Sequence, residues 1–440
     1  MNYRDKQILK IALPAIVTNI TVPLLGLVDT AIVGHMGDAK YIGAIAVGSM
    51  IFNLFYWVFG FLRMGTSGMT AQARGRHDFT EVCQLLKRSL IVSMGIALLA
   101  ILLQWPLREL MLWLIGPTTD VYPLSATYFN IVVWGAPAVL GLYALSGWYI
   151  GMQNSRIPMV ISIMQNIVNI LASFGLVYGL GMKVEGVAMG TLIAQYAGFF
   201  VAIGLLWHYY RRLWHAKSRL LAPEPSARRS PLIAFFRVNR DIFLRTLCLV
   251  AVNLYFTSAG ARQGSIVLAV NTLLMQLYLL FSYVMDGFAF AGEALGGRYW
   301  GARNWEAYRN VVNRLFGWGA LMTVIFTLTY ILGGMPFLCL LTDEPGVVEA
   351  SRQYVWWAYI IPVSGVAAFI WDGIFIGTTQ TRGMLLSSFI AAVVFFLCAM
   401  LLTGPWGNHG LWLAMVIYLA LRGLVQTLIH QTARQPFAAV

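Results

Sequence analysis

Four acidic side chains stand inside long apolar stretches of the chain. Of the seventeen Asp and Glu residues, thirteen fall at the ends of apolar segments or in loops, whereas Asp29, Asp286, Glu293 and Asp372 do not. An Asp at the centre of a membrane helix costs about 2.5 to 3.5 kcal/mol on insertion scales, so such residues are usually functional. Burial favours the neutral form of a carboxyl group, which suits these positions to taking up and releasing a proton. The alternative is a structural acid held by a neighbouring donor.

Asp29 is the strongest candidate for proton exchange. It lies in "LLGLVDTAIVGHMG", residues 24–37, in an apolar segment that also contains Pro14 and Pro23. Proline removes a backbone hydrogen bond and allows a helix to bend. The sequence therefore predicts a protonatable group on a helix that can change shape.

Four further charged residues lie within apolar segments. Asp286 and Glu293 are seven residues apart and so share one helix face. Asp286 is deeper and is predicted to be functional, whereas Glu293 could equally be a solvated acid near the segment end. Arg63 is predicted either to pair with one of these acids or to extend to the membrane surface. Asp372 is predicted to line an internal cleft.

Uncharged polar and aromatic side chains recur at helical spacing. Asn166, Asn169 and Ser173 form one stripe, and Thr191 and Gln195 form another. They could hold a deprotonated Asp29, or they could simply join helices. Gln195 is also predicted to line the substrate cleft. Most aromatic residues of a membrane protein belong to interfacial belts. Five of them could instead line a cavity for flat cationic or amphipathic molecules: Tyr143, Trp148, Tyr149, Tyr278 and Tyr283.

The elements that must position these residues are membrane helices. The chain has 440 residues, of which 59% are hydrophobic and 11% charged, against about 25% charged in an average soluble domain. Because a span needs about 20 apolar residues, we predict an all-α membrane protein with twelve transmembrane helices. The segments are 11–33, 43–69, 86–105, 121–150, 158–181, 186–208, 241–261, 266–297, 311–333, 350–377, 384–403 and 408–430. The first lacks a cleavage pattern and is predicted to be retained.

The net charge of +13 is distributed as a membrane topology would require. If the N-terminus is cytoplasmic, the inner connections carry 22 Lys and Arg residues and the outer ones carry 5. This positive-inside pattern places both termini in the cytoplasm. The basic charge therefore does not indicate nucleic-acid binding.

Enzyme chemistry has little support in the sequence. The four cysteines are far apart without a C-x-x-C pair, so neither a metal site nor a disulfide framework is predicted. There is no H-E-x-x-H motif, and the six histidines fall near segment ends. An intramembrane enzyme is a remote alternative, and no cofactor is predicted.

The chain divides into two similar halves. A basic stretch, 211–240, separates a predicted N-terminal lobe, 1–210, from a C-terminal lobe, 241–440, with six spans each. At an offset of 226 residues, "LSGWYIGMQNSR" from Leu145 matches "WDGIFIGTTQTR" from Trp371, and Gly75 matches Gly301. An even number of spans in each half predicts parallel repeats, with a central cleft between pseudo-symmetric lobes.

These residues resemble the multidrug and toxic compound extrusion (MATE) family, and within it the DinF-type branch. The resemblance covers nearly the whole chain and rests on "LVDTAIVGHMG", "AQARGRHD", "QNIVNI", "MDGFAFAGEALGGRYWGARN" and "WDGIFIGTTQTRGM" in this order. It implies the MATE fold and export driven by an inward proton or sodium gradient.

The resemblance also implies roles for particular residues. The acid matching Asp29 would be the coupling site, held by polar groups such as Asn169 and Thr191 and by a tyrosine at Tyr128, and Pro14 would form the kink of the first helix. Asp372 matches an acid that other branches use for cation coupling. Members of this branch often carry a second acid where this chain has Ser173, which makes a sodium site in the first lobe less expected.

We therefore predict a monomeric, proton-coupled antiporter of a prokaryotic inner membrane. Its cargo would be cationic or amphipathic small molecules, with protons as the coupling ion and membrane lipids around it. The alternatives within transporters are sodium coupling through Asp372 and export of lipid-linked or anionic amphipathic molecules. A channel is less consistent with a repeat that carries an acid in only one half.

Overall fold

The computed structural model describes residues 2–34, 39–219 and 231–433, and the regular structure in these ranges is helical. The helices are α1 (Tyr3–Gly34), α2 (Ala39–Val58), α3 (Phe61–Gly75), α4 (Phe79–Leu102), α5 (Gln104–Ile115), α6 (Tyr122–Val132), α7 (Ala136–Gly151), α8 (Arg156–Phe174), α9 (Val184–Arg219), α10 (Pro231–Arg262), α11 (Ser265–Ala291), α12 (Gly297–Gly301), α13 (Trp305–Leu341), α14 (Pro345–Gly377), α15 (Thr381–Trp406) and α16 (Asn408–Ala433). Two π-helical segments, Gly175–Gly179 and Gly292–Gly296, continue α8 and α11.

The predicted membrane architecture is confirmed. Within the described ranges, eleven helical stretches are long and apolar enough to cross a membrane, from Lys40–Gly75 to Asn408–Thr432. They correspond in order to the last eleven predicted segments, and α1 contains the first. The short helix α5, between two of these stretches, is an addition that the hydropathy pattern did not predict.

Contacts divide the chain into two compact units. The N-terminal unit is 17–231, and the C-terminal unit combines 1–16 with 232–440. The predicted division near the middle is close to this one, but the first sixteen residues differ, because their polar groups bind α13. Asp5 accepts a hydrogen bond from Trp318 Nε1 at 3.3 Å, and Arg4 donates to the carbonyl of Ala307 at 3.0 Å. The boundary between the two units falls two residues after Pro14, so helix α1 contributes to both of them.

The predicted linker 211–240 is helical where the structure describes it. Helix α9 extends to Arg219 and α10 begins at Pro231, while residues 220–230 lie outside the described ranges. Hydropathy alone underestimated both helices because their ends are rich in Lys and Arg, which long helices can carry beyond the apolar membrane core.

The internal repeat is present in the packing of each unit. Four glycines lie where a Cβ atom would collide with a backbone carbonyl of a neighbouring helix, so the two helices approach closely. Each contact in one unit recurs in the other at the offset of 226 residues. The contacts are Gly147 on Arg63 and Gly151 on Ser67 in the N-terminal unit, and Gly373 on Ala289 and Gly377 on Glu293 in the C-terminal unit.

The turns between helices repeat in the same way. His77 and Gln153 adopt the left-handed conformation, with φ of 58°, and so do Arg303 and Thr379, with φ of 54°, 226 positions later. The side chain of Asp78 caps α4 by accepting from the amide of Glu81 at 2.9 Å, and Asn304 caps α13 from Ala307 at 3.0 Å. The two halves therefore share a backbone design.

Candidate functional site

A buried ionic cluster lies inside the C-terminal unit and is centred on Asp372. One carboxylate oxygen of Asp372, from α14, accepts hydrogen bonds from Arg245 of α10 and from Arg422 of α16, the latter at 2.5 Å. The other oxygen accepts from Gln426 Nε2 at 2.7 Å. Arg422 and Gln426 are four residues apart and so project from one face of α16.

Every member of the cluster is buried. Asp372 is 6% exposed, Arg245 7% and Arg422 3%, and Gln426 is fully buried. The Tyr418 ring lies 5.5 Å from the Arg422 guanidinium. Removing one partner of such a group leaves an uncompensated charge, which typically costs 3 to 5 kcal/mol. Two guanidinium groups on one carboxylate also leave the cluster with an excess of positive charge.

Asp372 was among the predicted site residues, whereas Arg245 and Arg422 were not. A signal was present, because the topology count assigned 27 of the 30 Lys and Arg residues to loops or helix ends. The three left over are Arg63, Arg245 and Arg422, each inside an apolar segment. A cation at that depth needs a partner, so the sequence could have indicated that these arginines pair with buried acids, without saying which arginine pairs with which acid.

The arginines around Asp372 are relevant to the predicted alternative of sodium coupling at this carboxylate. A sodium ion at this carboxylate would have to compete with two guanidinium groups that already bind it. Hard cations prefer sites made of oxygen ligands, whereas here the nearest partners are nitrogen donors. Within the described ranges there is also no cluster of three or more Asp, Glu, His or Cys side chains that could hold a metal ion.

The second pair of predicted acids lies along α11 and its π-helical continuation. Asp286 is half-buried, and Glu293 is 1% exposed within Gly292–Gly296, so a solvated Glu293 is excluded. Tyr278 and Tyr283 are partly buried on the same helix, and the Tyr278 ring lies 6.3 Å from Phe369. π-helical segments occur frequently at functional sites. The proposed pairing of Asp286 or Glu293 with Arg63 stays a prediction.

In the N-terminal unit, the predicted polar stripe of α8 lies beside α1. Asn166 Nδ2 donates to the carbonyl of Thr21 at 2.8 Å, and the Thr21 hydroxyl is 3.0 Å from that of Ser162. Further along, the Tyr178 hydroxyl donates to the carbonyl of Ile32 at 3.1 Å. The two backbone contacts join residues 145 and 146 positions apart, so α1 and α8 run side by side in the same direction.

This register places other predicted residues near the level of Asp29, whose side chain lies outside the described part of the structure. At the same separation, the α1 backbone at residue 29 is level with residues 174 and 175, next to Ser173. Asn169 and Ser173 are both fully buried. Asn169 Nδ2 donates to the Thr191 hydroxyl at 3.1 Å. Among the described residues, Asn169 Oδ1 and Ser173 Oγ have no hydrogen-bond partner.

Tyr128 packs against a different helix. Its ring lies against Gly48 and 6.5 Å from Phe52, both on α2, and it is 3% exposed. Arg63 is half-buried. The role of Tyr128 in coupling stays a prediction.

Two residues predicted to line a cleft have other surroundings. Trp148 is fully buried, and its indole nitrogen donates to the carbonyl of Val82 at 2.9 Å, which gives it a structural position between α7 and α4. Gln195 packs against Gly135, and its Oε1 atom is buried without a partner among the described residues. Pro14 lies within the helical range of α1, and its role as a kink stays a prediction.

Comparison with known proteins identifies the family. The MatE family model matches residues 14–175 and 242–401. The chain is also 38% identical over 421 residues to the DNA damage-inducible protein F of Escherichia coli (strain K12), which covers 96% of this chain and 90% of that relative. The chain belongs to the MATE family. The predicted resemblance is thereby confirmed, and the protein is a multi-pass membrane transporter of the multidrug efflux class rather than an enzyme.

Solved structures and a more distant relative agree with this assignment. A crystal structure of MATE in the bent conformation has a TM-score of 0.87 at 19% identity and covers 100% of this chain and 98% of its own. An outward-facing MATE transporter gives 0.86 at 18% identity with the same coverage. Protein DETOXIFICATION 44, chloroplastic, of Arabidopsis thaliana is 25% identical over 94% of this chain and 80% of that protein. The predicted MATE fold is confirmed.

Proposed function

We propose that this protein exports small molecules from the cytoplasm in exchange for protons, with Asp29 as the coupling carboxylate. It would act as a monomer in a prokaryotic inner membrane with both termini in the cytoplasm. The observation that carries the proposal is the group of buried polar atoms on α8 that is level with residue 29 of α1. A carboxyl group at that depth needs such donors and acceptors in both of its protonation states.

The proposed cycle uses a change in hydrogen bonding at this level. When Asp29 is ionised, hydroxyl and amide donors such as those of Ser173 and Thr191 would stabilise the charge. When a proton from outside neutralises it, the carboxylic acid becomes a donor and the buried Asn169 Oδ1 can accept from it. A change in partners on a helix that carries Pro14 and Pro23 would alter α1 and lower the affinity for cargo, which is how a proton gradient can drive alternating access.

The first test is proton-coupled exchange in proteoliposomes. We expect that Asp29→Asn abolishes the uptake of protons that accompanies export of a cationic dye, while the protein keeps its thermal unfolding midpoint. Asp120→Asn is the matched control, because Asp120 is an exposed acid between two spans. Exchange is measured with a proton gradient alone and with a sodium gradient alone. Proton-coupled exchange that survives in Asp29→Asn would contradict the proposal, and so would exchange driven only by sodium.

A second candidate concerns the cargo, and the ionic cluster of the C-terminal unit favours it. The sequence analysis predicted cationic cargo because the acids inside the membrane were the visible charges. Arg245 and Arg422 reverse this balance only at Asp372, where two buried cations bind one carboxylate. Charge complementarity at this position favours an amphipathic anion over a cation.

Paired cargo molecules would separate these two candidates. Each pair has one aromatic scaffold that bears either a carboxylate or a quaternary ammonium group, and the proton-driven efflux of both is measured with the wild-type protein. Preference for the carboxylate member would support anionic cargo. Preference for the ammonium member would restore the original prediction, with the arginines as purely structural partners of Asp372.

A further inference from the structure

A groove separate from the ionic cluster lies between α10 and α15. It has a volume of about 690 Å³ and both of its walls belong to the C-terminal unit. Its apolar wall is formed by residues at helical spacing, and several of these are well exposed: Leu244 40%, Leu247 39%, Leu386 51% and Phe389 56%. Because these residues lie within predicted membrane spans, the groove opens towards lipid rather than towards water.

One end of the groove is charged. Arg240, Asp241 and Arg382 line it there, at the beginning of the apolar part of each helix. Asp241 is neutralised, because it accepts from Arg240 at 2.8 Å and from the Thr381 hydroxyl at 3.1 Å. Arg382 is exposed and forms no ion pair or hydrogen bond with any of the described residues. The charged end therefore carries one uncompensated guanidinium group.

The dimensions of the groove match one leaflet of a bilayer. Its walls run from residue 240 to 248 on α10 and from 382 to 389 on α15, which at 1.5 Å per residue is about 10 to 12 Å. Half of the hydrocarbon core is about 15 Å thick. An occupant must then have an anionic head at the membrane surface and an apolar tail that reaches most of the way to the midplane.

We propose that this groove binds an anionic phospholipid, with the phosphate on Arg382 and Arg240 and one acyl chain along the leucine and phenylalanine side chains. Arginine presents paired N–H groups that match a phosphate. The positive-inside pattern assigns this end to the cytoplasmic leaflet, where anionic lipids attract basic residues. The site goes beyond the proposed transport function, since it takes a resident lipid and leaves the transport residues untouched.

Native mass spectrometry of the full-length protein can test the site with defined lipids. Phosphatidylglycerol and phosphatidylcholine with identical acyl chains are titrated in detergent, and the affinity of the first bound lipid is measured. We expect Arg382→Gln to weaken phosphatidylglycerol binding by about five-fold, the factor for about 1 kcal/mol. Phosphatidylcholine binding should weaken less, because its ammonium group offsets the charge of the same phosphate. Arg309→Gln is the matched control, because Arg309 is an exposed arginine on α13, away from the groove.

A second pair of variants tests the apolar part. Leu386→Trp should fill the groove and reduce the binding of both lipids, whereas Leu397→Trp, at a residue of similar exposure on the same helix, should not. Equal effects of Arg382→Gln and Arg309→Gln would overturn the proposal. Displacement of phosphatidylglycerol by the transported dye would also overturn it, because the groove would then be a cargo site.

Discussion

The two units of this transporter share a backbone but differ in the polar groups that they bury. The contacts of Gly147 and Gly151 in the first unit recur at Gly373 and Gly377 in the second, and the turns and helix caps recur with them. The buried polar groups do not recur. Amides of α8 bind the α1 backbone and an α9 hydroxyl in the N-terminal unit, whereas the C-terminal unit encloses two arginines and an aspartate.

The repeat has therefore retained its helix packing while its chemistry has diverged. Close helix contacts tolerate no additional atom, so glycines at those positions are fixed by geometry. A buried polar residue needs hydrogen-bond partners only for its own polar atoms. A few substitutions on neighbouring helices can supply these partners. Ser146 stands in the first half where Asp372 stands in the second, and only the second is met by arginines.

The largest expected effect comes from separating Asp372 from its two arginines. Asp372→Asn removes the charge that balances two buried guanidinium groups, and we expect a loss of about 3 to 5 kcal/mol in the free energy of unfolding. The equivalent change in the other half, Ser146→Ala, should cost less than about 1 kcal/mol, because no ionic partner is lost. Thermal unfolding in detergent measures both variants.

The triple variant Asp372→Leu, Arg245→Met, Arg422→Met sharpens this test. Replacing all three charges by apolar groups of similar size removes the desolvation cost together with the ion pairs. We expect it to recover much of the stability lost in Asp372→Asn. If Asp372→Asn is as mild as Ser146→Ala, the cluster does not depend on its charge balance and the contrast between the units fails.

An effect of intermediate size should be equal in both units. Gly147→Ala and Gly373→Ala would each place a Cβ atom against a backbone carbonyl, of Arg63 and of Ala289. Overpacking of this kind typically costs 1 to 3 kcal/mol in the free energy of unfolding. We expect the two variants to lower the unfolding midpoint by similar amounts.

Two other glycines provide the control for that prediction. A Cβ atom added at Gly95 of α4 or at Gly317 of α13 would meet nothing within 4 Å. Gly95→Ala and Gly317→Ala should therefore leave the midpoint unchanged or slightly higher, since alanine is the better helix former. A loss in these variants as large as that in Gly147→Ala would mean that the close helix contact is not the cause.

The sequence predicted the helices and the repeat because both depend on composition and spacing. Apolar stretches of about 20 residues are set by bilayer thickness, and the 226-residue offset appeared directly in matched glycines. The ionic cluster was predicted only in part, since Arg245, Asp372 and Arg422 come from three helices that are far apart in the sequence. Nothing in the local pattern of α10 or α16 states that their arginines meet.

Other differences between the predictions and the structure arise from polar contacts that are distant in the sequence. Trp148 occupies an apolar segment that the sequence could equally assign to a cavity or to the interior, and its hydrogen bond to Val82 decides for the interior. The first sixteen residues belong with the C-terminal unit because Arg4 and Asp5 find partners on α13. Such long-range polar pairings are not visible in hydropathy.

The smallest expected effect distinguishes the units at their helix caps. Asp78 and Asn304 are equivalent positions, and each accepts one backbone hydrogen bond at a helix N-terminus. Replacing either by Ala should cost about 1 kcal/mol. The charge of Asp78 also interacts with the helix dipole, and salt screens that contribution. The loss of stability in Asp78→Ala should therefore be smaller at high salt than at low salt, whereas the loss in Asn304→Ala should not change.

Exchanging the residue types, with Asp78→Asn and Asn304→Asp, should transfer the salt dependence from α4 to α13. A salt dependence that stays with α4 after the exchange would show that it arises from the surroundings of that helix rather than from the charge of its cap.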